Sequence, residues 1–235
     1  MTELMIAAAA FIGLHLIVAG TGLRHLIVGM IGERAYLALF AISTAIILVW
    51  LVMSYNAVVT SPENVIYWQA PATLVHSGSL IVLIAFLFVV IGVTTPTPSA
   101  VGGERLLGKE NIAKGILRIT RHPFLWGVVI WAAFHMGVNG DRASQIFFGT
   151  FLTVALLGTF SIDAKRGRRF GDAYLAFKAK TSNVPFAAIL RGRTVFMFGE
   201  IGWGRIGLAI LIWGGFLYGH AWLIGVSPFP GGGMP

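Results

Sequence analysis

Residues 115–140 read GILRITRHPFLWGVVIWAAFHMGVNG. This stretch begins with basic side chains, passes through Pro123 and continues as an apolar run that contains His135. Proline is tolerated in the first turn of a helix, so we predict a helix over Pro123–Val138. An ionisable side chain inside an apolar helix is costly to bury and normally faces a partner, a cavity or a metal. His135 is therefore the first candidate functional residue.

The composition of the whole chain is that of an integral membrane protein. Hydrophobic residues make up 57% of its 235 residues and charged residues only 11%, against about 25% charged in soluble domains. This length accommodates about six membrane helices of roughly 20 residues, so we expect one domain over residues 1–235. The chain has no cysteine, which excludes disulfides, thiolate metal ligands and a cysteine nucleophile.

Six apolar runs along the chain have the length of membrane helices or come close to it. The fourth run is the shortest. Together the runs predict an all-α protein, a six-helix transmembrane bundle embedded in the lipid bilayer. The predicted spans are Leu4–Thr21, Ala35–Tyr55, Ala72–Val93, Pro123–Val138, Ala143–Ile162 and Ile206–Val226.

Positive charge is segregated to one face of the predicted bundle. With six spans, every Lys and Arg side chain except Arg142 falls on the face that carries the connections after spans one, three and five. The positive-inside rule makes this face cytoplasmic and both termini external, and we expect a bacterial inner membrane. The formal net charge of +8 is then explained by the basic residues of the cytoplasmic face, and no nucleic-acid partner is expected.

The connection between spans five and six runs from Asp163 to Arg205. It contains Phe170, Tyr174 and Phe177 at helical spacing among basic side chains. A basic amphipathic helix of this kind is typical of segments that lie on the inner leaflet of a membrane. We therefore predict a cytoplasmic amphipathic segment without a catalytic role.

Four of the six histidines lie inside predicted spans at comparable depths. One membrane histidine commonly makes an interhelical hydrogen bond, but four suggest a shared site, and the spans contain no carboxylate for a proton relay. Zinc sites are commonly built with cysteine, whereas two opposed neutral imidazoles hold a haem iron between apolar walls. We therefore expect haem, and spacing alone does not choose the pair. The four are His15, His76, His135 and His220.

Several sequence blocks carry a family resemblance. They are Gly32–Phe40, Arg118–Pro123, Trp131 with His135, Arg168–Gly171, and Thr181–Ile189 followed by Gly192-Arg193. In this order they resemble the NnrU family, and most of all its branch that contains the plant and algal zeta-carotene isomerase. The resemblance implies six or seven membrane helices with haem b. Plant members of that branch isomerise the central cis double bond of a tri-cis carotene.

The resemblance also implies roles for individual residues. Carried over by position, His15 and His135 would be the axial ligands of haem b and the catalytic residues. His76 and His220 are kept as alternative ligands because their depths in the spans are at least as suitable. The plant branch has a cysteine at the position of Ala132, so a thiolate role there is absent.

Three further residues are expected near the haem. Trp131 would pack on the macrocycle, and Arg118 and Arg121 would bind the propionates if the haem reaches the cytoplasmic side. The alternative role of both arginines is to anchor the positive face of the bundle. His122 precedes Pro123 at the predicted cytoplasmic start of the helix, and the sequence leaves its role open.

These expectations favour a redox-gated cis-trans isomerase of a polyene such as 9,15,9'-tri-cis-zeta-carotene. A first alternative is a non-enzymatic NnrU-type haem protein that senses or supports nitrite and nitric oxide respiration. A second rests on Arg121-His122-Pro123, Phe170-Gly171 and Val184-Pro185, which resemble the isoprenylcysteine-type membrane methyltransferases that use S-adenosylmethionine. Those enzymes carry glutamates before the Phe-Gly pair, where this chain has basic residues and only Asp163 as a substitute.

Overall fold

A computed structural model describes residues 1–109 and 111–229. The described residues are all-α, as predicted, and each predicted apolar run falls on helical structure. One isolated antiparallel bridge joins Ile66 and Asp141. The α-helices are α1 (Thr2–Ile12), α2 (Leu23–Ile31), α3 (Glu33–Val59), α4 (Ala72–Thr94), α5 (Ile116–Ile119), α6 (Pro123–Val138), α7 (Arg142–Lys180), α8 (Ala187–Leu190) and α9 (Trp203–Ile224). A π-helix covers Gly13–Val18, and 3₁₀ helices cover Gly103–Leu106 and Phe198–Glu200.

Four helices, α3, α4, α7 and α9, are long and apolar enough to cross a membrane. A fifth candidate span is α1 with the π-helix and α2, which are bent by 79° at a short break. The apolar helix α6 has the predicted bounds, but its 16 residues fall short of the usual length of a span. The described residues therefore contain four or five candidate spans by length and composition, and a count of six requires α6 to cross as well.

The first compact unit contains residues 1–71 and 132–161. Within it, α1 packs against α3, and the run of alanines in α1 lets the two helices approach closely. Leu4, Ala7, Phe11 and Leu51 form its core together with Ala143 at the start of α7. This packing fixes the helix that leads into the π-helix.

The π-helix replaces the last part of the predicted first span. The sequence suggested one continuous helix over Leu4–Thr21, but the chain changes to the wider π-helical turn at Gly13 and then bends towards α2. The Thr21 hydroxyl donates a hydrogen bond of 2.7 Å to the Ile17 carbonyl at this bend. Such turns inside helices are rare and are frequent at functional sites.

The second compact unit contains residues 72–131 and the described residues from 162 onward, with Glu110 outside the description. In this unit α4 packs along α9. Its core contains Phe88 and Ile91 of α4, Ile116 and Leu117 of α5, and Ile201, which precedes α9. The core thus ties the loop after α4 to the start of α9.

Helix α4 and the start of α6 approach each other closely at Gly92. A Cβ atom added to Gly92 would lie 2.6 Å from the backbone nitrogen of Phe124. Real Cβ atoms are not found so close to a backbone atom, so only glycine fits without a shift of one helix.

The segment that was expected to lie on the inner leaflet is helical as far as Lys180, as predicted. Helix α7 continues into it and is interrupted only at Gly171, where φ is 49° and ψ is −130°. Tyr174 and Phe177 beyond this break are buried within the second unit, whereas Leu175 is 51% exposed. Two of the aromatic side chains that were expected to face lipid therefore pack inside the protein.

Candidate functional site

The imidazole of His15 is held by the π-helix and its neighbours. Its Nδ1 lies 2.8 Å from the Phe11 carbonyl oxygen. Since a carbonyl only accepts hydrogen bonds, Nδ1 carries the proton, and in the neutral ring the Nε2 lone pair is left for another partner. The ring packs at 4.3 Å from the Phe11 ring and edge-on at 5.3 Å from Phe40, between centroids. Metal-binding imidazoles are often fixed by a backbone carbonyl in this way, and His76 and His220 form the same type of contact.

The imidazole of His135 is half-buried in α6 and belongs to the same compact unit as His15. It stacks on the Phe148 ring with a centroid distance of 4.9 Å and an interplanar angle of 28°. The Phe134 ring meets it edge-on at 5.5 Å. The orientation of His135 is therefore set by an aromatic side chain of α7 as well as by its own helix.

A continuous series of aromatic contacts connects the two histidines. From His15 it passes through Phe11, and its last phenylalanine stacks on His135. The rings between them meet at centroid distances of 5.2 to 5.5 Å. The series thus builds an apolar, aromatic wall in the first unit. Its phenylalanines are Phe11, Phe151, Phe147 and Phe148.

The end of α6 that carries His135 is closed by polar contacts within the first unit. The Trp68 indole donates a hydrogen bond of 3.0 Å to the Gly137 carbonyl. The Gln145 amide donates to the carbonyls of Met136 and Asn139 at 2.8 and 2.7 Å. These donors satisfy backbone carbonyls that a helix end leaves without partners, so the last turn of α6 is fixed.

The two alternative histidines lie in the second unit. The Nδ1 atoms of His76 and His220 lie 2.6 Å from the carbonyl oxygens of Ala72 and Val226. His76 is exposed and His220 is half-buried. The structure thus divides the four histidines into two pairs, with His15 and His135 in one compact unit.

The histidines are also candidate ligands of a metal bound by the protein alone. Among the described residues, no group of three or more His, Asp or Glu side chains could hold a metal ion. Two imidazoles between apolar walls are sufficient for haem iron, because the porphyrin supplies the other four ligands. Trp131 lies half-buried in α6, four residues before His135.

The two arginines expected at the propionates both bind carboxylates of the protein. Arg118 binds Glu200 through Nε and Nη2, at 2.6 and 2.8 Å, and donates from Nη1 to the Thr194 hydroxyl at 3.0 Å. Arg121 binds Asp163 through Nε and Nη2. Binding of haem propionates by these two arginines therefore stays a prediction.

A buried polar cluster surrounds Asp163 in the second unit. The carboxylate accepts hydrogen bonds from Arg121, from Nε2 of His122 at 2.9 Å and from the Tyr174 hydroxyl at 2.8 Å. The Tyr174 oxygen also lies 3.3 Å from the Ser99 hydroxyl. Burial lowers the pKa of His122 below its ordinary value, although the Asp163 carboxylate acts in the opposite direction. His122 thus directly precedes α6, as predicted, and its buried, neutral imidazole also donates a hydrogen bond to Asp163.

Sequence reasoning missed this cluster, although a signal was present. Asp163 directly follows the apolar run of α7, and Arg121 and His122 directly precede the apolar run of α6. Charged groups at corresponding ends of two neighbouring runs are candidates for pairing. Tyr174 carried no such signal, because its hydroxyl reaches Asp163 only through the break at Gly171.

Comparisons with known proteins agree with the resemblance in the sequence. The family described as NnrU protein matches residues 3–228. The chain is 35% identical over 82 residues to the 15-cis-zeta-carotene isomerase, chloroplastic, of Arabidopsis thaliana, and 38% identical over 79 residues to that of Zea mays. Each match covers 34% of this chain and 22% of the relative. Both relatives are chloroplast proteins by name, which gives no support to a bacterial inner membrane. No solved structure matches. Since the family match covers nearly the whole chain, this membrane protein belongs to the NnrU family.

Proposed function

We propose that this protein is a haem-b-dependent membrane isomerase that converts a cis double bond of a polyene, such as 9,15,9'-tri-cis-zeta-carotene, to trans. The observation that carries the proposal is the occurrence of His15 and His135 in one compact unit with an aromatic wall between them. Similarity to the plant isomerases supports the choice of a polyene. The proposed topology has six spans, with α6 as the fourth and both termini outside.

The two histidines would hold the haem iron in this proposal. When bound, the ferrous haem would supply electron density to the conjugated chain, which lowers the barrier to rotation about one double bond without net redox change. The imidazole of His135, in a regular α-helix and stacked on Phe148, would be oriented by that ring. The imidazole of His15 would be oriented by the hydrogen bond from its Nδ1 to the Phe11 carbonyl, within a π-helix of the kind that is frequent at functional sites.

The test begins with the spectrum of the purified full-length protein. We expect a low-spin haem spectrum in the wild type and in the control variants His76→Ala and His220→Ala. His15→Ala and His135→Ala should lose it, while keeping the helical content of the wild type. A protein without haem, or one in which all four variants keep the wild-type spectrum, would refute the proposed ligand pair.

Activity is then tested with the reduced protein in vesicles that contain a tri-cis carotene, without oxygen. Conversion to the isomer with a trans central bond is expected, and it should stop on oxidation. A second candidate function is a haem protein without turnover that binds nitric oxide. It is favoured by the family match over residues 3–228, whereas each isomerase match covers only 34% of the chain. Nitric oxide binding without isomerisation would support this second function.

A further inference from the structure

A cavity of about 270 Å³ lies in the second unit between the loop after α4 and the start of α9. Its wall contains three basic residues, Lys109, Lys114 and Arg205, and one acidic residue, Glu200. Leu106 is among the apolar residues that line it. The cavity does not involve the four membrane histidines.

The charge of Glu200 is already compensated within the protein. Its two carboxylate oxygens accept hydrogen bonds from Arg118, and one of them also accepts from the Gly115 backbone N–H at 2.8 Å. The Arg118 guanidinium is the main reason that the pKa of Glu200 is lowered to about 2. The three basic residues of the wall are therefore left with a net positive charge towards the cavity.

The basic residues of the wall form no ion pair among the described residues. Lys109 and Lys114 are exposed, and Lys114 contributes to the lowered pKa of Glu200. Arg205 is half-buried and donates one hydrogen bond of 3.3 Å to the Ile201 carbonyl. An anion that enters the cavity would thus meet three cations that form no ion pair with a described carboxylate.

The cavity lies at the start of α9, where this candidate span would enter a membrane. Arg205 lies in the first turn of α9, a candidate span, and Trp203 at its first residue is 72% exposed. Val195, Met197 and Phe198, shortly before α9, are also exposed. Exposed aromatic and apolar side chains at the start of a span are typical of the interface between hydrocarbon and headgroups. The basic wall then lies at the level of lipid phosphates.

We propose that this cavity binds the phosphate of an anionic membrane phospholipid. Basic pockets beside membrane helices are suited to such headgroups, because ammonium and guanidinium groups bind phosphate oxygens. The acyl chains would lie along the apolar surface at the start of α9, next to Trp203. The same chemistry would accept a soluble phosphate, but the exposed apolar segment favours a ligand with a hydrophobic part. This site is independent of the proposed isomerase function.

The test uses the delipidated full-length protein and native mass spectrometry during titration with phosphatidylglycerol. The cavity variant is Lys109→Gln, Lys114→Gln, Arg205→Gln. Loss of one cation should weaken lipid binding by about tenfold at most. Loss of all three should lower the affinity for phosphatidylglycerol by on the order of 100-fold. The matched control is Arg168→Gln, Lys180→Gln, Arg191→Gln, which removes three exposed charges elsewhere in the second unit and should bind within about twofold of the wild type.

Three outcomes would overturn the proposal. Equal losses of affinity in the cavity and control variants would mean that lipid binding depends only on the total charge of the protein. Equal binding of phosphatidylcholine would mean that anionic charge is not recognised. Inorganic phosphate that binds alone and displaces the lipid at equal concentration would make the ligand a soluble anion. If the cavity variant does not fold, Lys109→Arg with Lys114→Arg replaces it; this variant should bind like the wild type, and Lys109→Gln alone should not.

Discussion

Nε2 of His122 lies 2.9 Å from Oδ1 of Asp163, and both side chains are buried. This contact joins the start of α6 to α7 across 41 residues of sequence. Arg121 binds the same carboxylate, so one acidic group compensates a buried guanidinium and orients a neutral imidazole. The buried Arg121 and His122 side chains of this cluster therefore both depend on the Asp163 carboxylate for a hydrogen-bond acceptor.

Replacement of Asp163 by Asn should destabilise the protein strongly. The change leaves the Arg121 guanidinium buried without an opposite charge, which costs about 3–5 kcal/mol. Thermal unfolding in detergent should occur at a clearly lower temperature than in the wild type. Asp172→Asn, which removes an exposed carboxylate from the same helix, is the control and should have little effect. Equal melting temperatures for the two variants would contradict the role of Asp163.

Tyr174→Phe should have a smaller effect of the same sign. It removes the hydroxyl that contacts Asp163 and Ser99 but keeps the buried ring, so a loss of about 1–2 kcal/mol is expected. In a double variant with Asp163→Asn, the total loss of stability should be smaller than the sum of the two single losses, because both changes affect one network. Full additivity, measured by the same thermal unfolding, would argue against a shared network.

The ion pair between Arg118 and Glu200 should make stability depend on acidic pH. The pKa of Glu200 is lowered to about 2 from 4.5, mainly by Arg118. A carboxyl group with a lowered pKa in the folded state stabilises the protein above its unfolded pKa, and this contribution disappears as the pH falls through the folded value. The advantage of the wild type over Glu200→Gln should therefore decrease between about pH 4.5 and pH 2.

This comparison needs a carboxylate without a basic partner as its control. Glu63→Gln, in the exposed loop after α3, should leave the melting temperature at pH 6 unchanged. A wild-type advantage over Glu200→Gln that stays constant from pH 6 to about pH 3 would mean that Glu200 does not titrate as an ion-paired group.

Gly92→Ala should force α4 and α6 apart. The new Cβ would lie 2.6 Å from the Phe124 nitrogen, and overpacking of this kind costs about 1–3 kcal/mol. Gly214→Ala in α9 is the matched control, since its Cβ would meet no atom within 4 Å and alanine favours helix. In thermal unfolding, the melting temperature of the control should equal or exceed that of the wild type, and that of Gly92→Ala should be lower.

Phe148→Leu should loosen His135 without removing it. The substitution deletes the ring stacked on the imidazole at 4.9 Å. If His135 binds haem, transfer of haem to apomyoglobin should be several times faster than in the wild type, because the ligand loses its fixed orientation. Phe160→Leu, an exposed position on the same helix, should release haem at the wild-type rate. Equal release rates would mean that Phe148 does not support the ligand.

The regular parts of the fold followed from the sequence. Long apolar runs make helices in a membrane because their backbone groups must be satisfied within the segment, and each predicted run falls on a helix. The bounds of α6 were predicted correctly from Pro123 and the polar residues after Val138. The number of spans did not follow in the same way, since the 16 residues of α6 are fewer than a bilayer core usually requires.

The remaining features depend on contacts that no local pattern contains. The change to a π-helix at Gly13 has no periodic signal, and Tyr174 looked like a lipid-facing residue because its buried partner Asp163 lies on the other side of Gly171. The choice of His15 with His135 came from family resemblance. The structure adds that the two belong to one compact unit, which spacing along the chain could not indicate.

The π-helix at Gly13–Val18 also affects how relatives of this protein are aligned. A π-helical turn contains one residue more than the α-helical turn it replaces, so a relative with a regular helix here would be one residue shorter between Phe11 and Leu23. An alignment without a gap would then place a neighbour opposite His15 and hide an equivalent histidine. Relatives should therefore be compared with a one-residue gap allowed in this turn before any of them is said to lack this ligand.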